Sequence, residues 1–284
     1  MPLNMMYITN DPAVARIAEA NGVDRIWVDM EFIGKSRRQG GMDTVQSHHT
    51  VADVRAIRAA VTASEVLVRV NPIHGALPDY GDSRWEIDAV VEAGADVIML
   101  PYFKTADEVR TFLSLVGGRT KTMLLVETPE AVEAIDEILA LDGIDEIHIG
   151  LNDLSLGYGM KFMFELLADG TVERLCLKFR RAGIPYGFGG IAALGRGLLP
   201  AERVIREHYR LGSTRVILSR SFCNTGLVTD LGEIGEIFRT GMAEIRALEA
   251  ECAAHAAYFW GNRAAVEQGV AQIRAAIEAK ERDA

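Results

Sequence analysis

Eight short apolar runs recur along this chain: NMMYIT, DRIWVDM, EVLVRV, DVIML, TMLLVE, EIHIG, PYGFGG and TRVILSRSF. Their residues are continuously apolar rather than alternating, which is the pattern of strands covered on both faces in a parallel sheet. Between them, segments such as DPAVARIAEANG, TVADVRAIRAAV, RWEIDAVVEAG, TADEVRTFLSLVG and TPEAVEAIDEILAL carry apolar residues at helical spacing. Many open on a Thr or Asp cap or close on Gly. Eight such units in about 250 residues predict an α/β fold, a (β/α)8 barrel of the TIM type with additional C-terminal helices. A doubly wound open sheet is the alternative, but no GxGxxG follows the first run, which weakens a dinucleotide-binding reading.

No Pro-, Gly- or Ser-rich linker interrupts the rhythm, so residues 1–284 read as a single barrel domain. Residues 232–284 exceed what closing a barrel needs. They are expected to form a helical extension whose Ala-rich stripe, AAVEQGVAQIRAAIEA, packs on the barrel or on a partner subunit, and a homo-oligomer is the expected assembly. The formal net charge of −10 leaves no basic stripe for nucleic acid or an anionic membrane. Small anions are still admissible, since local arginines can hold them. Cys176, Cys223 and Cys252 are an odd set without CxxC spacing, as expected of reduced thiols in a cytoplasmic protein. The first residues lack a signal-peptide pattern, and no run approaches the ~18 apolar residues of a membrane span.

Strand C-termini face the active-site mouth of a barrel. Glu127 ends MLLVE and Asp153 lies just past IHIG, so both acids are expected on that rim. Two rim carboxylates with room for water suit a hard divalent cation such as Mg²⁺ or Mn²⁺. The alternative is that Glu127 caps the helix opening at Thr128-Pro129 and that Asp153 makes a turn with Asn152. The second run ends in Asp29 and Glu31, the eighth brings Arg220, and Arg69 sits inside the apolar VLVRV. A guanidinium there is costly without an anionic partner, so Arg69 either pairs with Asp29 or Glu31 or binds a substrate anion. The glycine-rich GFGGIAALGRG is weak evidence for an anion site.

Together, GADVIMLPYFKTADEV, VETPEAVEAIDEILALDGIDEIHIGLNDLSLGYG, VDME and RVNP resemble the HpcH/HpaI aldolase and citrate lyase family over roughly residues 10–225. The most specific part is a Glu followed at the family's spacing by GxxDLSxxxG. The resemblance implies metal-dependent aldolase or CoA-ester lyase chemistry on a (β/α)8 barrel. It implies Glu127 and Asp153 as ligands of Mg²⁺ or Mn²⁺, with Co²⁺ also admissible, and Arg69 at the oxygen of a 2-oxo acid. It implies that Leu100 and Pro101, with Gly150, Leu151 and Asn152, help hold the substrate, and that Asp29 and Glu31 are acids around the metal's water.

One departure stands out. Pyruvate aldolases of this family usually read Asp-x-Glu-His after the second strand, whereas this chain reads Asp29-Met30-Glu31-Phe32. Phe32 transfers no proton. The polar loop that follows carries Lys35, Arg37, Arg38, His48 and His49, and His48 or His49 is the expected replacement, a solvated helix start being the alternative. Arg37 and Arg38 are candidates for a phosphate, nucleotide or carboxylate. His74 is a second proton-carrier candidate, His148 reads as structural, and His208 and His255 read as surface residues. Lys161, Phe162 and Phe164 either cover the site as a lid or pack as an ordinary helix.

The leading functional reading is therefore a metal-dependent carbon–carbon lyase on pyruvate or a related 2-oxo acid, with an acceptor larger and more anionic than a simple aldehyde. A citryl- or malyl-CoA type lyase and a non-catalytic metal-binding barrel are the alternatives.

Overall fold

The computed structural model describes residues 2–35 and 48–282. All eight expected strands form: β1 (Asn4–Ile8), β2 (Arg25–Asp29), β3 (Glu65–Arg69), β4 (Val97–Leu100), β5 (Lys121–Val126), β6 (Glu146–Ile149), β7 (Tyr186–Ile191) and β8 (Arg215–Leu218). Their order is the chain order, in a closed barrel. By density of internal contacts the chain divides into residues 6–148 and residues 1–5 with 149–284.

In the first unit the sequence signals act locally as expected. Thr50 and Thr105 each accept the N3 amide of their helix, while Asp53 and Glu108 reach back to the cap amide, completing capping boxes on Val51–Ala60 and Ala106–Val116. Asp11 and Asp82 cap Pro12–Ala20 and Ser83–Glu92. Strands β2 and β3 run parallel with Asp29 beside Arg69 in register, and β3 pairs with β4 through Arg69 and Met99. TPEAVEAIDEILAL is not one helix. It splits into Pro129–Glu133 and Ile135–Leu139 at Ala134, whose φ and ψ of −83° and 5° lie outside the α region. At the start of β2, Arg25 is buried and donates to Glu146 at 2.5 and 2.7 Å and to Glu65 at 2.7 Å. That pairing satisfies a guanidinium that would otherwise be costly in the core.

In the second unit, β7 and β8 pair with a register shift between Gly187 and Gly190. A Cβ on Gly187 would lie 2.3 Å from the Arg215 carbonyl oxygen, so only glycine admits this approach. His208 is not a surface residue. It is fully buried, its ring stacks on Phe188 at 3.8 Å, and Nδ1 lies 2.7 Å from Ser213 Oγ. The cause is helical phase, because in Ala201–Leu211 position 208 falls on the inner stripe with Val204, Ile205 and Leu211. His255, ending the helix Leu231–Ala254, is exposed as expected. Phe164 is buried against Phe162, and Lys161 Nζ bonds Glu281 at 2.9 Å. Of the two alternatives for Lys161, Phe162 and Phe164, ordinary packing is thus present, with Lys161 tied to the last helix, Phe259–Arg282. That helix lies along Ala201–Leu211 and Glu165–Ala168, and Asn262 Nδ2 donates to Glu207 Oε1 at 2.8 Å and to the Arg203 carbonyl at 3.0 Å. The three cysteines are buried and form no disulfide. Among the described residues no helix is long and apolar enough to cross a membrane.

A candidate active site at the strand ends

The register that sets Asp29 beside Arg69 places a carboxylate and a guanidinium at the last positions of β2 and β3. Arg69 donates through Nε to Asp29 Oδ1 and through Nη2 to Oδ2, both at 2.7 Å, a bidentate fork. Its Nη1 lies 3.3 Å from Glu31 Oε2, and its guanidinium carbon sits 5.0 Å from the centre of the Trp27 ring. Lys35 Nζ adds a bond to Asp29 Oδ2 at 2.8 Å and lies 3.7 Å from Glu31. Asp29 is 2% exposed and Glu31 1%. Burial by itself raises the Asp29 carboxyl, but Arg69 and then Lys35 outweigh it and hold the group well below the usual carboxylate range. Burial likewise works against the Arg69 cation, and Asp29, Glu31 and Glu127 more than compensate, so Arg69 stays charged at any working pH. The expected pairing of Arg69 with strand-end carboxylates is therefore present.

His49 joins this group. Its Nδ1 accepts the Asp29 backbone N–H at 2.9 Å, which in the neutral ring leaves the proton on Nε2. Burial, with lesser contributions from Lys35 and Arg69, lowers its pKa below 6.5 against the opposing pull of Asp29 and Asp53. His48, beside it, is exposed. His74 turns elsewhere, with Nδ1 at 2.9 Å from the Pro72 carbonyl and 3.0 Å from Ser83 Oγ. Arg37 and Arg38 lie outside the described residues.

The turn after β2 is fixed by residues that sequence reasoning assigned no role. Asn71 Oδ1 accepts the amides of Phe32 and Ile33, both at 2.9 Å, while Asn71 Nδ2 and Tyr80 Oη donate to Glu86 Oε1 at 2.8 Å. Glu86 is fully buried, and burial raises its pKa against the hydrogen bonds from Tyr80 and Asn71. A signal was present: Glu86 stands on the apolar stripe of its helix, beside Ile87 and one turn from Val90.

Glu127, directly after β5, is buried, and its Oε1 accepts the Tyr102 N–H at 3.0 Å. Tyr102 has a positive φ, 48°, and follows the buried pair Leu100-Pro101. Helix capping there belongs to Thr128, which accepts from Ala131, and not to Glu127. In the second unit, Asp153 is buried in the first turn of Leu151–Gly157, which opens at Gly150, and its Oδ1 accepts from Asn152 Nδ2 at 3.2 Å. Leu151 is buried and Asn152 exposed. Among the described residues no group of three or more His, Cys, Asp or Glu gathers at metal-binding spacing. Glu127 in the first unit and Asp153 in the second each offer only oxygen donors, the hard ligands that an ion of the Mg²⁺ or Mn²⁺ type takes.

A family model, HpcH/HpaI aldolase/citrate lyase, matches residues 3–184. The chain belongs to this family. Among curated relatives, the hydroxypyruvate/pyruvate aldolase of Roseovarius nubinhibens is 24% identical over 174 residues, 50% of this chain and 66% of that protein. The 4-hydroxy-4-methyl-2-oxoglutarate aldolase of Chaetomium globosum is 26% identical over 162 residues, 56% and 52% of the two chains. The chain thus matches less than two thirds of the length of these relatives. Solved structures of an HpcH/HpaI aldolase from Desulfitobacterium hafniense and of a family protein from Burkholderia cenocepacia superpose with TM-scores of 0.56 and 0.57 at 20% and 19% identity. They cover 77% and 82% of this chain, and 86% and 94% of their own, and they share the barrel.

Proposed function

We propose that this HpcH/HpaI protein is a carbon–carbon lyase that forms or cleaves a bond to the enolate of pyruvate or a related 2-oxo acid, with a larger carbonyl acceptor. The observation that carries the reading is the Arg69–Asp29 fork at two strand ends, a fixed positive charge of the kind that stabilises a developing enolate oxygen. The relatives named as pyruvate aldolases support the same class.

Glu127 and Asp153 would hold a divalent cation, Mg²⁺ or Mn²⁺, which when bound supplies Lewis acidity toward the oxo-acid. The chain's own groups do the rest. Asp29 and Glu31 orient Arg69 before substrate arrives, so little reorganisation accompanies charge development. Lys35 helps keep Asp29 ionised and therefore accepting. Because Phe32 has no proton to give, His49, neutral near pH 7 with hydrogen on Nε2, is the group that delivers a proton, with His48 as its neighbour.

The test is solvent-deuterium exchange into C3 of pyruvate with Mg²⁺, Mn²⁺ or Co²⁺. Wild type should exchange, and Arg69→Ala and Glu127→Gln should lose roughly 100-fold or more, the scale of removing one such electrostatic contact. Calorimetry should show Mn²⁺ binding weakened in Glu127→Gln and in Asp153→Asn. Absence of exchange with every divalent ion sinks the proposal.

A further inference from the structure

Beside the charged group lies a cavity of about 380 Å³, lined by Met30, Phe32, His49, Thr50, Tyr80 and Trp85 among others. This size is at the small end of ligand sites, which run roughly 300–1,000 Å³. Three of its walls are aromatic, and Tyr80 meets each of the other two edge to face. Phe32 meets Tyr80 edge to face at 5.0 Å and 90°, and Tyr80 meets Trp85 at 5.2 Å and 75°.

These rings are held in place. Tyr80 is fixed by its hydroxyl on buried Glu86, and the Phe32 backbone by Asn71. The Trp85 indole lies against Gly81 so closely that a Cβ there would fall 2.5 Å from its Cδ2. Yet Phe32 and Trp85 remain 41% and 49% exposed, an apolar surface next to buried charge. Among the described residues no lysine, arginine, aspartate or glutamate lines the cavity, and its titratable lining there is the imidazoles of His48 and His49 and the Tyr80 phenol. His49 belongs both to the cavity wall and, through the Asp29 amide, to the charged group.

We infer that this cavity is the acceptor subsite and that it selects an aldehyde carrying a flat, uncharged ring, with Phe32, Tyr80 and Trp85 as specificity-determining residues. The inference rests on the aldolase reading above. In the bond-forming direction, C3 of the enolate attacks the aldehyde carbon, the C=O π pair moves to that oxygen, and the oxygen takes one proton to give a 4-hydroxy-2-oxo acid bearing the ring at C4. Phe32, in place of a proton-carrying residue, then serves as a wall. Rings stack on such surfaces edge to face or offset, and bury apolar area that the free protein leaves wet.

Two measurements on the intact protein separate the subsite from the aldolase reading. The first needs no turnover: calorimetric titration with benzyl alcohol, benzylammonium and succinate. Benzyl alcohol should bind about tenfold tighter than either ion, and Trp85→Ala should lose about tenfold while Trp85→Phe retains binding. Gly81→Ala, which displaces the indole, should weaken binding as Trp85→Ala does. Tighter binding of succinate or benzylammonium, or indifference of benzyl alcohol to Trp85→Ala, overturns the inference.

The second measurement compares kcat/KM for benzaldehyde and succinic semialdehyde with pyruvate. Benzaldehyde should be preferred, and Trp85→Ala should erase the preference. Wild-type C3 exchange with a preference for the semialdehyde overturns the subsite and keeps the aldolase. Ring binding without any C3 exchange overturns the aldolase reading and with it the acceptor role, and leaves the cavity's preference for an uncharged ring standing.

Discussion

Arg69, Asp29, Glu31 and Lys35 form a buried set in which each charge depends on the others. Asp29→Asn should cost about 3 kcal/mol of stability, the low end for removing one partner of a buried pair, because Arg69 and Lys35 would keep their charge and lose their acceptor. Urea denaturation measures it, and Arg69→Lys should fall between wild type and Arg69→Ala, since lysine keeps the charge without the fork. His49 makes a pH prediction of definite sign. Its folded pKa lies below the ordinary 6.5, so above that pH both folded and unfolded forms are neutral and it contributes no slope. On acidification through 6.5 the unfolded chain takes up the proton first, and stability should fall. The fall should be shallower in His49→Gln than in wild type. VLVRV already shows in sequence that Arg69 needs a partner. Which partner it takes was legible only as a pair of alternatives, because the answer depends on which residue of β2 stands beside it in register.

The capping signals were readable residue by residue, since a cap is a contact within four positions. Thr105→Ala should lower stability by about 1 kcal/mol, seen as a lower denaturation midpoint at unchanged slope. Gly187→Ala should cost more, at least ~2 kcal/mol, because the new methyl meets backbone rather than a mobile side chain. A mild effect of Gly187→Ala would show that β7 and β8 can slide apart. The eight strands were visible as apolar runs, but the break at Ala134 was not, because Ala131, Ile135 and Ile138 keep helical spacing across it. His208 was misplaced for the opposite reason. A single histidine has no sequence mark of burial, and only the phase of Val204, Ile205 and Leu211 around it does.

At the scale of the whole chain, Asn262 fastens the last helix to Ala201–Leu211, and both its Nδ2 bonds are to buried or half-buried acceptors. Asn262→Ala should leave Glu207 short of a donor, at about 1–3 kcal/mol, and limited proteolysis should release the C-terminal helix sooner than in wild type. By itself the sequence determined the alternation of strand and helix, the barrel class, the family, and the candidacy of Glu127, Asp153 and Arg69. All of these follow from continuous apolar runs, from apolar residues at 3.6-residue spacing, from short motifs, or from one charge in an apolar run. Tertiary structure alone decided that Arg69 is forked on Asp29, that His49 is drawn in to bond the Asp29 amide, that buried Glu86 sets the turn after β2, and that Phe32 walls a cavity with Tyr80 and Trp85. Those are contacts between residues up to nearly fifty positions apart, created by parallel strands brought into register. No local pattern encodes register, because it is set by the packing of all the strands together.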